Sequence, residues 1–484
     1  MDDLPPSKVR PLARHSAGQI VIVSATMLAL GVTLRASSQF GANDISRWCT
    51  VWSLLERGTY AIDDCPWQKQ TQDKVRRAAP FRLVVAGQPP LEHFYSSKPP
   101  LLPTLIAGLL YPARALSGVP LEYSEDQPRV ERFVDKEVEG RTERVLETPQ
   151  EPVKWPAHVF YFKPIVVLLN VVPFAVLLVL YARLLDRLDL GDWSWLASLA
   201  AAAWGTYLLA FNQTLNNHTI AAYSAFFALY PLVRIGDDGR AEGWRFAVAG
   251  LFGAFCACNE LPAALFGMAL FLMLLVRHPR QTLLWFVPAA AVPCAAFLAT
   301  QYLAFGQFRP VYEEFGTKSY EYYGSYWNTP LEMDWYNKNP EPYAVYLFHM
   351  TFGHHGVFSL TPIFLFSIHG ALRNLGRDGR LRAVAWLTTV LTAVMVAFYT
   401  WNPKARNYGG STQGLRWLFW LIPFWLILLP EGLRPGEDRP WFRRLALAAL
   451  GVSVLSVGYA LRSPWSHPWI LDLMEHLDLL TLTR

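Results

Sequence analysis

Apolar residues run along this chain in blocks separated by short arginine-bearing links. Each block is about twenty residues long, the length that carries an α-helix across a bilayer. The blocks fall at roughly 17–34, 160–182, 193–211, 218–234, 244–258, 261–276, 283–304, 357–372, 383–400, 416–430 and 444–461. That pattern predicts an all-α integral membrane protein, a bundle of about eleven transmembrane helices in one polytopic domain over 1–484. One more stretch, Leu101 to Leu116, is apolar enough to cross but is short and follows Lys98-Pro99-Pro100.

Charge decides how to treat that extra stretch. Arginine concentrates in short cytoplasmic loops of polytopic proteins. If Leu101–Leu116 stays on one side, then Arg14, Arg183/Arg187, Arg234/Arg240/Arg245, Arg277/Arg280, Arg373/Arg377/Arg380/Arg382 and Arg434/Arg439/Arg443/Arg444 all share the cytoplasm with the N-terminus. If it crossed, every later cluster would invert. It is therefore expected to lie in the outer interface as a juxtamembrane helix. Lys8, Arg10 and Arg14 precede the first block with no small-residue cleavage signature after it, which reads as an uncleaved anchor. Two long loops then face outward: 36–158, holding juxtamembrane helices and a charged excursion over 117–158, and 305–356. Glu, Arg and Lys crowd 122–154 without apolar periodicity, which predicts a solvated excursion. No internal repeat is evident, which weakens a transporter built from inverted halves.

Composition sharpens the class. Of 484 residues 52% are hydrophobic and 17% charged, against about a quarter charged in soluble domains. A soluble enzyme, a secreted disulfide scaffold and a disordered chain are excluded. The net charge of +5 sits in the cytoplasmic links, so it reports orientation and gives no reason to expect nucleic acid. Of five cysteines only Cys49 and Cys65 share a polar segment, where a disulfide is open.

The candidate chemistry lies in the outer loops. Gly41-Ala42-Asn43-Asp44-Ile45-Ser46-Arg47-Trp48 opens a helix whose Trp48, Val51, Trp52 and Leu55 form one apolar stripe. Asp44 at its start is either a helix cap or a general base with Arg47 as cationic neighbour. Downstream, Tyr95-Ser96-Ser97-Lys98-Pro99-Pro100-Leu101-Leu102-Pro103 sets an ammonium at headgroup depth. Lys98 is there either an interface lysine reaching for water or a ligand for a lipid phosphate.

This pairing resembles the first loop of the polytopic GT-C superfamily glycosyltransferases of the ArnT and protein O-mannosyltransferase type, the class of dolichyl-phosphate-mannose-protein mannosyltransferases. In those enzymes an Asp-x-x-Arg-aromatic helix precedes a Lys-Pro-Pro-Leu helix. The chain is similar, more closely, to bacterial members with Ser-Arg-Trp and Tyr-Ser-Ser-Lys-Pro-Pro-Leu-Leu-Pro signatures. The resemblance covers residues 17–116 and implies a GT-C-type bundle in the bacterial inner membrane. It implies transfer of a sugar from a polyprenyl-phosphate-linked donor to an acceptor lipid, glycan or protein at the extracytoplasmic face, among membrane lipids. It makes Asp44 the base, with Arg47 and Lys98 on the donor phosphate. Asn43 and Ile45 flank Asp44 where relatives carry a second acid, and Ser97 stands where ArnT-like enzymes carry a metal-binding Glu. No cofactor is demanded; a divalent metal is the one the resemblance leaves open.

Further polar groups fall on the same side. Asn217-His218 and Asn259-Glu260 lie between blocks and read as hydrogen-bonded helix ends or substrate contacts, and a carboxylate such as Glu260 at membrane depth is costly. Tyr95 is a second substrate-contact candidate, as is His355; His354 and His355, being adjacent, do not share a helix face. Arg406 and Arg416, with Lys404, break the charge rule and flank Tyr408-Gly409-Gly410. They call for an anion, the donor phosphate or ordinary headgroups. The aromatic run 312–327 would stack on sugars or float at the interface. The competing expectation is a polyprenyl-phosphate or lipid-linked sugar transporter that uses the same cations only for binding.

Overall fold

The computed structural model describes residues 10–36, 41–81, 91–121, 132–138, 141–147, 157–314, 318–320, 322, 325, 341–377, 379–401 and 408–479. Among the described residues eight helices are long and apolar enough to cross a membrane: α1 (Arg14–Arg35), α4 (Phe160–Leu185), α5 (Asp192–Phe211), α6 (Asn217–Asp238), α9 (Pro279–Phe305), α12 (Arg382–Trp401), α13 (Arg416–Gly436) and α14 (Pro440–Ala460). Between α1 and α4 lie two shorter helices, α2 (Ala42–Glu56) and α3 (Leu101–Ser117), and the antiparallel pair β1 (Lys74–Ala78) and β2 (Glu92–Ser96). A second hairpin, β3 (Arg132–Val138) with β4 (Arg141–Glu147), follows.

Three expected crossings fall short of a full-length span. Gly243–Asn259 (α7) and Leu261–Arg277 (α8) meet at Glu260, whose extended backbone (φ −129°, ψ 100°) precedes Pro262. The third is broken into Val357–Leu360 and Phe364–Leu375 (α11), because Pro362 drives Thr361 out of the helical region. Arg245 on α7 pairs with Asp238 at one end, and Asn217 reaches the Asn259 carbonyl at the other.

Those two ends differ sharply. At the first, loop arginines cross-link the bundle: Arg14 to the Leu190 carbonyl at 3.0 Å, Arg187 and Arg380 to Asp237 at 3.0 and 2.9 Å, and Arg434 to the Leu188 carbonyl at 2.6 Å. The second end carries α2, the β1–β2 hairpin and α3. Arg114 of α3 forks onto Glu56 of α2, and Ser117 reaches Tyr161 at the start of α4. Near the start of α3 Thr104 meets the Tyr60 hydroxyl at 3.0 Å, so both ends of α3 are tied to the segment around the end of α2. Its outward positions Leu105, Leu109, Tyr111 and Leu116 stay exposed while Leu102, Ile106 and Leu110 are buried.

Burial separates an inner from an outer ring. In the apolar windows of α5, α6 and α13 roughly four residues in five are buried, against about one in four in α1, α9 and α14. The outer helices turn rows of Leu, Val, Phe and Trp outward, which suits hydrocarbon as solvent. The inner contact between α11 and α13 is backbone to backbone. A Cβ on Gly432 would collide with the Phe366 carbonyl, and one on Gly370 with the Leu428 carbonyl. Gly432→Ala is therefore expected to cost on the order of 1–3 kcal/mol by overpacking, read as a lower Tm of the solubilised protein. Gly451→Ala on α14, where nothing lies within 4 Å, should leave Tm unchanged.

Within the 117–158 excursion β3 and β4 pair with Asp135 opposite Arg144 and Lys136 opposite Glu143 in register. Cys49 and Cys65 are both buried and both free.

Candidate functional site

At the end of the bundle opposite the arginine network, α2 starts at Gly41, and the Gly41 amide donates to Asp44 Oδ2 at 3.2 Å. Asp44 is three residues into the helix, so it does cap it, as an acid at this position does. Capping accounts for only one oxygen. Oδ2 also accepts from Trp465 Nε1 at 2.9 Å, whereas Oδ1 is buried with no hydrogen-bond partner among the described residues. Desolvation pushes the Asp44 carboxyl up from 3.8 to about 7, against the opposing pull of the Trp465 indole, Arg47, the Gly41 amide and Arg416. A carboxylate with a free oxygen that changes charge near neutral pH is suited to general-base work.

Cations surround it. Arg47, one turn along α2, donates to the Asn43 carbonyl at 3.1 Å and its Oδ1 at 2.9 Å, and to Asn217 on α6. Burial lowers its pKa to about 10, partly restored by Asp44 and Asp73, which leaves it cationic at neutral pH. Arg416 opens α13 with its guanidinium 4.9 Å over the Trp465 ring, and Nη2 donates to the Gly409 carbonyl at 2.6 Å. Its Nε and Nη1 are buried without hydrogen-bond partners among the described residues. Positive φ at Tyr408, Gly409 and Gly410 curls the chain so that the Gly409 carbonyl faces this guanidinium.

Lys98 joins the group through the β hairpin. Ser46 of α2 donates to the Asp73 carbonyl at 2.5 Å and lies 2.6 Å from Ser96 Oγ, which accepts from the Lys98 amide at 3.2 Å. The Lys98 ammonium pairs with Asp73 at 3.1 Å. Burial pulls its pKa below the ordinary lysine value, with Asp73 opposing and the positive fields of Arg47 and Arg416 adding to the depression.

On the α6 side, Asn217 Nδ2 donates to Glu260 Oε1 at 2.5 Å and to the Asn259 carbonyl at 2.9 Å, and His218 pairs with Glu260. The break between α7 and α8 is what frees Glu260 to turn inward. One connected cluster thus brings together Asp44, Arg47, Asn217, His218, Glu260, Lys98 and Arg416, all singled out by the sequence.

Other candidates lie apart. Tyr95 faces a satellite core with Val75, Val311 and Tyr320, because strand alternation turns it away from the side on which Ser96 meets Ser46. His355 stacks on Tyr408 with ring centroids 4.8 Å apart and lies 6.4 Å from the His467 ring, outside the Asp44 cluster. Arg406, Lys404 and half of the 312–327 run lie outside the described residues. Sequence reasoning missed Asp73, which fixes Lys98, and Trp465, which closes Asp44. Trp465 did carry a signal, since Pro464-Trp465-Ser466-His467-Pro468 is an aromatic, polar segment directly after an apolar block, where interfacial Trp concentrates.

The fold defines a multi-pass membrane protein with a buried acid–cation cluster at one end. No known family model matches the chain and no curated protein matches it, so the side-chain geometry carries the functional argument.

Proposed function

We propose that this chain is a membrane glycosyltransferase of GT-C type, with eleven crossings and its site at the extracytoplasmic face of a bacterial inner membrane. It moves a sugar from a polyprenyl-phosphate donor to an acceptor hydroxyl or amine. The observation that carries this reading is that Asp44 Oδ1 and two nitrogens of Arg416 are buried without hydrogen-bond partners among the described residues, while both side chains lie against Trp465. A carboxylate oxygen and a guanidinium edge with nothing bonded to them, in one buried cluster, suit an acceptor and a phosphate.

The orientation rests on the arginine network gathered at the opposite end, the cytoplasmic end by charge. In the reaction Asp44 takes the acceptor proton as the acceptor oxygen or nitrogen bonds to the anomeric carbon. The bond from that carbon to the donor phosphate oxygen breaks, and the electron pair leaves with the phosphate. Arg416 and Lys98 stabilise the charge that grows there, where low dielectric makes such help strongest. A single displacement inverts the anomeric carbon.

Mass spectrometry of envelope glycans and lipids, with and without the gene, tests the proposal. Loss of one sugar-bearing species, restored by the wild-type gene, is expected. An unchanged profile overturns it.

A further inference from the structure

A second constellation stands beside the acid–cation cluster and belongs to none of that chemistry. Glu341 leads into a short helix, α10 (Tyr343–Thr351), which carries His349. The chain then turns back, with the Gly353 amide donating to the Phe348 carbonyl at 2.8 Å. Gly353 makes the turn tight, because a Cβ there would collide with the His349 ring. His354 consequently stacks on His349 with ring centroids 4.1 Å apart.

From these contacts we propose that Glu341, His349 and His354 bind a divalent transition-metal ion of the imidazole-preferring class, for which zinc is the probe. One ligand atom from each residue lies within 4.8 Å of the other two. Tetrahedral zinc with bonds of about 2.0–2.1 Å needs its ligand atoms about 3.3 Å apart, so small side-chain rotations close the site. Two imidazoles and a carboxylate form a common set for zinc, with the fourth position open to water. Calcium and magnesium, which favour all-oxygen shells, fit it poorly.

The surroundings are those of a built site. His354 Nδ1 lies 2.5 Å from His355 Nδ1, which fixes the ring and leaves Nε2 for the ion. The Tyr408 hydroxyl donates to Glu341. Such outer partners orient ligands and tune affinity. Among the described residues His349 Nδ1 is buried without a hydrogen-bond partner, and three histidine rings and a carboxylate converge there. His355 is thereby a positioning residue, which is what its place outside the Asp44 cluster left unexplained. An ion here would pin α10 to the Tyr408–Gly409 turn that holds Arg416.

The inference goes beyond the proposed transferase, and metal content is read without any sugar transfer. Full-length protein, solubilised in detergent and purified without a polyhistidine tag, is equilibrated with zinc, desalted and analysed for bound metal. About one zinc per chain is expected, and a cobalt-loaded sample should show the visible bands of a low-coordinate site. Glu341→Gln and the double variant His349→Ala/His354→Ala should lose the stoichiometric metal, His355→Ala should weaken it about 10–100-fold, and His93→Asn, on β2 outside the cluster, should retain it. Each variant is checked for monodispersity first, and Glu341→Gln, nearly isosteric, serves if the double variant misfolds. Wild-type protein that takes up no zinc, or Glu341→Gln protein that keeps the full complement, overturns the site.

Discussion

Replacing Asp44 by Asn is expected to lower the rate of sugar transfer about 10²–10⁴-fold, the usual contribution of a positioned base, while donor binding changes little. The variant also separates enzyme from carrier, since a transporter that uses the cluster only to hold phosphate keeps most of its activity. The wild-type rate should rise with pH through about 7, because the carboxyl must be ionised to accept a proton and burial has raised it to that value. Trp465→Phe, which removes a hydrogen bond to the ionised form, should shift that rise to higher pH. Stability makes the same claim with opposite sign. The folded carboxyl titrates near 7 and an ordinary one near 3.8, so the native state holds its proton longer and loses stability as pH rises between those values. Asp44→Asn should therefore raise Tm at pH 8 and have little effect at pH 4. A residue that merely capped α2 would be replaced by Asn, which caps about as well, with little change in Tm at either pH and turnover intact. Transfer rates of wild type and variants over pH 5–9, together with thermal melts, check all three expectations. A variant with near-normal turnover ends the base assignment.

Removal of the Arg416 guanidinium should be nearly as damaging. Arg416→Gln is expected to reduce turnover about 10²–10³-fold, as loss of a preorganised donor to developing charge does. The two nitrogens without a hydrogen-bond partner among the described residues matter here, since they are the donors left for a phosphate oxygen. Arg416 also helps hold Asp44 ionised, so the acid limb of the pH profile should move upward in the variant. Arg416→Lys keeps the charge but not the fork, and should recover only part of the rate. Steady-state kinetics with varied lipid-phosphate donor decide the matter. A rise in KM alone, with turnover preserved, would reduce Arg416 to a docking contact.

How much of this was legible in the sequence follows from the range of each signal. Blocks of apolar residues are local, and so are the proline breaks that shorten Gly243–Asn259 and split Val357 from Phe364. The arginine links were legible for the same reason, and the structure gathers them at one end. Asp44, Arg47 and Lys98 stood out through a short motif, and Glu260 through its depth in an apolar region. Tyr95 sits beside the motif, yet the two-residue period of β2 turns it into a separate core, which neighbouring letters do not reveal. Asp73 and Trp465 were harder still. Their meaning lies in contacts made only after the chain has returned, and no periodicity encodes that return.

The bond between Asp44 and Trp465 joins positions 421 apart in the chain. A ribosome delivers the carboxylate early, and it waits in contact with water until the segment beyond α14 has been threaded into place. During that interval the acid has Arg47 beside it but neither the indole of Trp465 nor the guanidinium of Arg416. On the proposed transferase reading, the growing polypeptide is therefore inert toward lipid-borne sugars until its last segments are in place.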